Sequence, residues 1–303
     1  MEIPQRKLTP TYHTTAYPAI SPLRPELSQA GKTVLVTGGS TGIGYAIARG
    51  FVQARARKVI ILGRRGEKAV SAAATLQEEA REQKKGTEVI GLQNDVGDKE
   101  AVAKLWGKFA DEGTVIDVLV LNAVAVSPTK PVLDLDLDGL WADYNVNVRS
   151  LLDFTVRFYK QEKQGAEGPK YLLHVATQAI HDWPVIPIPF PGYPLTKNAG
   201  TAALQVAAKD VKPERMQIVL FHPGGIWTES AENTLGPEAK TAMPWDDVEL
   251  PGSFAVWAAS PEAKFLHGRF VWAHWDVDEL KTGEIRKKID EDPAFLKVGV
   301  KGL

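Results

Sequence analysis

A doubly wound parallel α/β sheet of about seven strands, with helices on both faces, is the fold class that this sequence predicts, and three observations predict it. Strand-length apolar runs alternate with longer helical patterns from residue 31 onward. Three of those runs, Val34-Leu35-Val36, Val59-Ile60-Ile61-Leu62 and Val118-Leu119-Val120-Leu121, are continuously apolar, as strands covered on both faces must be. A glycine-rich segment, residues 37–44, follows the first run directly and opens the first helical pattern.

The elements follow in order. Strands are expected at 33–37, 58–62, 88–92, 117–121, 171–176, 217–221 and 268–273. Between them, helical spacing predicts helices over 43–54, 67–84, 99–111, 139–161 and 194–211, the fourth of these unusually long. The alternation Asp134, Asp136, Asp138 caps and charges the start of that long helix in preference to forming a carboxylate site. Prolines at 4, 10, 18, 22 and 25 deny the first thirty residues both helix interiors and central strands, so residues 1–30 read as an extended arm before a single domain, 31–303. Two stretches break the rhythm of that domain. Residues 178–192 are too proline-rich for helix and lie at the carboxyl end of a strand, where they would wall a pocket; residues 226–250 are polar with scattered apolar positions and suit a lid.

Composition narrows the function classes. With 44% hydrophobic and 24% charged residues the chain can bury a large core, which excludes disorder. Lys plus Arg at 36 against Asp plus Glu at 37 leaves no basic field for a phosphate backbone, so nucleic acid is not an expected partner. The absence of cysteine excludes thiolate catalysis and every Cys-based metal site, no cluster has metal-ligand spacing, and an intracellular, cytoplasmic address is expected. No apolar run is long enough to cross a bilayer, and the N-terminus has no apolar core of a signal peptide, so neither membrane insertion nor secretion is expected.

The glycine segment Thr37-Gly38-Gly39-Ser40-Thr41-Gly42-Ile43-Gly44 is placed to cradle a pyrophosphate. Its glycines permit close approach of backbone, and the helix that follows offers unpaired N–H groups and a partial positive charge. A ligand-free tight turn is the bland alternative. At the end of the second strand, about 20 residues on, a carboxylate would select NAD by accepting the ribose hydroxyls. Here Gly63, Arg64 and Arg65 stand instead, and a guanidinium such as that of Arg64 can pair with a 2'-phosphate, favouring NADP(H), with NADPH as reductant. Otherwise the two arginines simply begin a solvated helix.

Further motifs stand in series: Asn94-Asp95-Val96 after the third strand, Asn122-Ala123 after the fourth, Asn147 within the long helix, Tyr193-Pro194-Leu195-Thr196-Lys197, and Pro223-Gly224 after the sixth strand. With the glycine turn they resemble the short-chain dehydrogenase/reductase family, in its shorter-chain, single-domain, Rossmann-fold branch, over about residues 31–278. The arm and residues 267–276 look similar to a fungal-type subgroup in which specialised (secondary) metabolism is common. The resemblance implies Tyr193 as general acid/base, Lys197 as its partner on the nicotinamide ribose, Thr177 as the hydroxyl that holds the substrate oxygen, and Asn147 as anchor of a relay water. It also implies cofactor contacts from Gly38, Ser40, Thr41, Gly42, Ile43, Gly44, Asp95, Val96 and Asn122, and a nicotinamide clamp of Pro223, Gly224, Ile226 and Thr228. The chemistry is consistent with these roles. A free tyrosine titrates near 10, and a neighbouring ammonium together with an oxidised nicotinamide is expected to lower that by stabilising phenolate. Residues 193 and 197 share a helix face.

The sequence departs from the family pattern at three places. Thr177 stands where a serine is usual, Val124 where the Asn-Ala turn usually continues with glycine, and Pro194 directly follows Tyr193, which predicts Tyr193 as a helix-cap residue. His181 beside Asp182 could form an acid/base pair but reads better as structural, and His174 and His222 read as satisfied core or rim residues.

Gln178, Ile180, Trp183 and Trp227, with Val185, Ile186 and Trp245, would form an apolar, aromatic substrate wall, which suits a bulky hydrophobic ketone, polyketide, terpenoid or imine. Two other readings stay open: a non-catalytic NADP(H)-binding sensor or scaffold, and a cyclase or isomerase built on the same fold. The family commonly pairs through helices corresponding to 139–161 and 194–211, so a homodimer or homotetramer is expected.

Overall fold

The structure, a computed structural model, describes residues 7–126, 130–162, 168–182 and 190–299. The alternation runs β1 (Thr33–Thr37), α1 (Gly42–Gln53), β2 (Lys58–Gly63), α2 (Gly66–Glu82), β3 (Glu88–Gln93), α3 (Lys99–Asp111) and β4 (Val118–Leu121). It continues through α4 (Leu137–Tyr144), a π-helical turn (Asn145–Arg149), α5 (Ser150–Lys160), β5 (Lys170–Val175), α6 (Ala179–Asp182), α7 (Gly192–Lys209) and β6 (Met216–His222). The last part comprises α8 (Glu229–Leu235), α9 (Ala239–Ala242), α10 (Glu249–Ala258), β7 (Arg269–Trp272), α11 (Val277–Leu280) and α12 (Gly283–Glu291).

Among the described residues the sheet has seven strands in the order β3-β2-β1-β4-β5-β6-β7, every neighbouring pair parallel. The doubly wound class expected from the sequence is the one observed. Winding reverses between β1 and β4, which opens a crevice at the carboxyl ends of the central strands. Strands β1, β4, β5 and β6 are buried along their whole length, whereas edge strand β3 mixes buried and exposed positions. Two glycines bring α1 and α10 into backbone contact: a Cβ on Gly50 would lie 2.7 Å from the Gly252 carbonyl, and one on Gly252 equally close to that of Ala46.

The helix expected over 139–161 is three pieces. Asp136 caps α4 by accepting from the N–H groups of Asp138 and Gly139, as the acidic alternation implied. The π turn then inserts an extra residue, an irregularity with no trace in apolar spacing. Lys170 ends α5 by donating to the carbonyls of Phe158 (2.6 Å), Tyr159 and Gln161. Residues 7–30 carry two 3-10 turns, Pro18–Ile20 and Pro25–Leu27, and lie against the domain with Ile20 and Leu27 fully buried. No helix of the described residues is long and apolar enough to cross a membrane.

The outer edge of β7 is covered by the chain's own tail. Phe270 N donates to Leu296 O at 2.9 Å, and the buried Arg269 guanidinium donates to the carbonyls of Ile289 (2.6 Å), Asp292 (3.1 Å) and Phe295. Truncating Arg269 strands those carbonyls beneath the tail. Arg269→Ala is therefore expected to lower unfolding free energy by about 2–4 kcal/mol in urea titrations, the scale of losing buried charge-assisted bonds. A change below about 0.5 kcal/mol would show that the tail is held without them.

Candidate active site

The crevice is assembled from the loops after β1, β4, β5 and β6. Gly38 (φ +63) and Gly42 (φ +54) adopt left-handed backbone, and a Cβ on Gly44 would stand 2.3 Å from the Gly38 carbonyl, so the first turn of α1 can seat on the loop only with glycine there. Thr37 and Asn122 stitch this loop to the end of β4. Asn122 Nδ2 donates to the carbonyls of Thr37 (3.1 Å) and Gly38 (3.0 Å), while Thr37 Oγ1 accepts from the N–H groups of Asn122 (2.9 Å) and Ala123 (3.1 Å). Thr41 is the N-cap of α1 with extended backbone, but its side chain makes no capping bond. No side chain thus competes with an anion for the first N–H groups of α1, the last of which follow at Gly42, Ile43 and Gly44.

At the far end, Ser40 Oγ lies 3.0 Å from where a Gly63 Cβ would be, so Ser40 borders the carboxyl end of β2. Arg64 and Arg65 are both exposed. Arg65 and Lys68 pair with Glu229 at 3.5 and 3.1 Å, holding that carboxyl below its ordinary range, with the Lys68 hydrogen bond the largest cause. Arg64 enters no side-chain ion pair among the described residues. Asp95 is exposed and turns its Oδ1 to the Gly97 N–H at 2.8 Å; Val96 beside it is buried.

On the other side of the loops, the Thr177 hydroxyl stands beside the Tyr193 phenol, close enough to favour its phenolate. Thr177 follows β5 and is nearly buried. Tyr193 lies inside the first turn of α7, one residue past Gly192, and Pro194 takes the next position, where no N–H is needed. The expectation of a cap residue is corrected: Pro191 is the cap, and Tyr193 already belongs to the helix. One turn on, the buried Lys197 donates from Nζ to Val175 O at 2.6 Å. Asn147, within the π turn, is saturated. Its Nδ2 donates to Ala125 O (2.7 Å) and Thr196 Oγ1 (2.9 Å), and its Oδ1 accepts from Ala125 N (2.9 Å).

Burial governs the electrostatics. It pushes the Tyr193 phenol above its usual value, partly opposed by the Thr177 hydroxyl, and pulls Lys197 down to about 7. Desolvation of the phenolate is the larger of the two influences on Tyr193 in this arrangement. His174, under Lys197, is neutral by burial and by the lysine charge; its Nδ1–H donates to Leu121 O (3.2 Å) and its Nε2 is buried without a partner among the described residues. His222 likewise leaves Nδ1 unmatched, so neither histidine is as satisfied as their strand positions implied. His181 bonds Asp182 at 3.1 Å and packs on the rings of Phe270 and Trp272.

After β6, Pro223 and Gly224 are buried and Ile226 forms a bridge with Asp246. The Thr228 methyl stands 2.9 Å from where a Gly42 Cβ would be, closing this segment over the start of α1, and Thr228 Oγ1 caps α8 through Ala231 N. Trp227 meets Trp245 edge to face at 5.1 Å, and Gln178 is half-buried at the start of α6. Ile180 is buried and lines a separate cavity of about 470 Å³ with His181, Phe270, Trp272 and Trp275, which none of the four catalytic candidates borders. Trp183, Val185 and Ile186 lie outside the described residues. Sequence reading missed Thr196, whose hydroxyl fixes Asn147, and Asp246, which only the fold brings to Gly225.

Residues 32–238 match the family model described as short chain dehydrogenase. The short chain dehydrogenase/reductase AacuD of Aspergillus aculeatus is 32% identical over 293 residues, covering 96% of each chain. A short chain dehydrogenase/reductase of Claviceps purpurea is 32% identical over 295 residues, covering 96% of this chain and 94% of its own. In overall fold the chain is similar to the Pseudomonas aeruginosa RhlG/NADP active-site complex, with a TM-score of 0.72 at 21% identity, over 82% of this chain and 97% of that one.

A lysine held near 7 in the folded chain but near 10.4 in the unfolded one binds fewer protons folded than unfolded between those values. Its contribution therefore destabilises fully below about pH 7 and is relieved as pH rises toward 10. Urea unfolding is expected to show Lys197→Met more stable than wild type at pH 6.5, with the gap closing by pH 9.5; a gap independent of pH would refute a depressed lysine.

Proposed function

Because the chain belongs to the short-chain dehydrogenase/reductase family, we propose that it is an NADP(H)-dependent oxidoreductase that reduces the carbonyl or imine carbon of a bulky hydrophobic substrate. One observation carries the reading: the Thr177 hydroxyl stands beside the Tyr193 phenol, one helical turn from a buried lysine. When bound, the dinucleotide supplies the hydride. Thr177 holds the substrate oxygen, and Tyr193 gives that oxygen its phenolic proton. A phenol raised by burial remains protonated through the neutral range, as a donor must. The ammonium form of Lys197, when present, lowers the cost of the phenolate left behind.

The side chain of Asn147 is committed to Ala125 and Thr196, so a relay water would donate to the main-chain carbonyl of Asn147. A Cβ at Gly200 would lie 2.5 Å from that carbonyl, and glycine there keeps α7 close to it.

The residues present suit a dinucleotide phosphate. The N-terminus of α1 with Gly38, Gly42 and Gly44 would receive the pyrophosphate, Ser40, Thr41 and the unpaired Arg64 the 2'-phosphate side, and Asp95 and Val96 the adenine. Asn122 keeps the loop in shape; Pro223, Gly224, Ile226 and Thr228 would border the nicotinamide. The NADP complex of RhlG supports the same preference. Gln178 and Trp227 would border the substrate, whereas Ile180 faces the separate cavity with Phe270 and Trp272.

Apolar side chains left exposed on α5 (Leu152, Val156) and α7 (Leu195, Val206) support pairing of two copies through these helices. Sedimentation equilibrium is expected to give a dimer or a multiple of it, and a monomer at micromolar concentration would refute this. Tryptophan quenching should show NADPH bound more tightly than NADH, with Arg64→Ala losing about tenfold for NADPH alone, the scale of one charge-assisted contact. On a panel of hydrophobic ketones, Tyr193→Phe should bind NADPH as wild type does and lose turnover by at least about a hundredfold. Unchanged turnover would refute the acid role.

A further inference from the structure

Outside the hydroxyl and lysine set lie a part-buried acid, Asp246, and a buried imidazole, His274, that share no element with it. Asp246 Oδ2 accepts from Gly225 N at 2.7 Å and from His274 Nε2 at 2.8 Å, and Asp246 N donates to Gly225 O at 2.7 Å. Asp246 thus grips Gly225 from both sides, its carboxylate accepting and its main-chain N–H donating, at the bridge between Ile226 and Asp246. It also occupies the place of a side chain: Gly224 has φ +106, and a Cβ there would stand 2.8 Å from Asp246 Oδ2.

His274 is 2% exposed and is itself immobilised. Tyr12 from the arm stacks on it at 4.6 Å and 14°, Trp272 and His222 flank it, and its carbonyl accepts from His13 N at 2.8 Å. Its Nδ1 is buried with no partner among the described residues, so the ring makes its one side-chain hydrogen bond to Asp246. A desolvated histidine with half its capacity unmatched is costly to keep unless the remaining bond holds something in place. What it holds is the backbone from 223 to 228, whose other end sets the Thr228 methyl against Gly42.

We propose that Asp246 and His274 are positioning residues for hydride transfer: they fix the segment 223–228, and with it the nicotinamide half of the dinucleotide, while the adenine half is held independently by the loops after β1 and β2. The inference rests on the dinucleotide reading of the crevice. It also gives the arm a task, because Tyr12 and His13 are the residues that close over His274.

Binding to the full chain separates the two halves. NADP⁺ and 2',5'-ADP are titrated calorimetrically against wild type, Asp246→Ala, Asp246→Asn and His274→Gln, and exchange of the Gly225 amide is followed without ligand. Asp246→Ala is expected to weaken NADP⁺ about tenfold, to leave 2',5'-ADP within about twofold, and to speed Gly225 exchange, the scale of a lost charge-assisted bond. Asp246→Asn, which still accepts from Gly225 N, should recover part of the loss, as should His274→Gln. Equal weakening of both ligands, or no change for NADP⁺, would overturn the proposal. If the alanine variant does not fold, the asparagine variant decides by the same ratio. Wild type binding neither ligand would instead overturn the dinucleotide reading itself.

Discussion

A parallel sheet buried on both faces can present a ligand only with the ends of its strands, and that constraint organises this molecule. Because β1, β4, β5 and β6 are sealed along their length, the crevice at their carboxyl ends is lined by the loops after them and by the start of α7. The winding reversal between β1 and β4 separates two of those loops, and Thr37 and Asn122 tie them back together. The crevice is therefore rigid where an anion would sit, in a backbone scaffold of hydrogen bonds rather than of side-chain packing.

The strands were legible because burial on both faces leaves an uninterrupted apolar run, a signal that survives without any partner being known. Helix α1 and its glycine loop were legible for the same local reason. The π turn at Asn145–Arg149 was not, since one inserted residue shifts the apolar stripe too little to register, yet it is what turns Asn147 inward to Ala125 and Thr196. Tyr193 and Lys197 could be paired from their spacing of four. Their electrostatics could not be read that way, because spacing says nothing about how much water is lost. Both groups are shifted toward their neutral forms, the phenol upward and the ammine downward, by the same desolvation.

The partnership of Asp246 with Gly225 and His274 shows the other limit. Twenty-one residues separate Asp246 from Gly225 and twenty-eight from His274, and no periodicity links them. Only the return of the chain through α8, α9 and β7 brings them together, with the arm laid over the result. Polar residues in irregular segments are ambiguous in sequence for this reason: a carboxylate beside Trp245 could equally have faced solvent.

Desolvation then explains why the two sides of the crevice are built so differently. On the side of α1, backbone N–H groups uncapped by Thr41 and an exposed arginine without an ion pair among the described residues would exchange water for an anion, so affinity there is tunable by one guanidinium. On the side of α7, a half-buried phenol stands beside a lysine already stripped of water, and the lysine stands near the point where it gains or loses its proton at physiological pH. A group poised there responds to any added charge or lost solvent, and Val175 O, at 2.6 Å, is the acceptor that favours its protonated form. On the function proposed above, binding strength and proton transfer fall to opposite walls, and a change on one need not disturb the other.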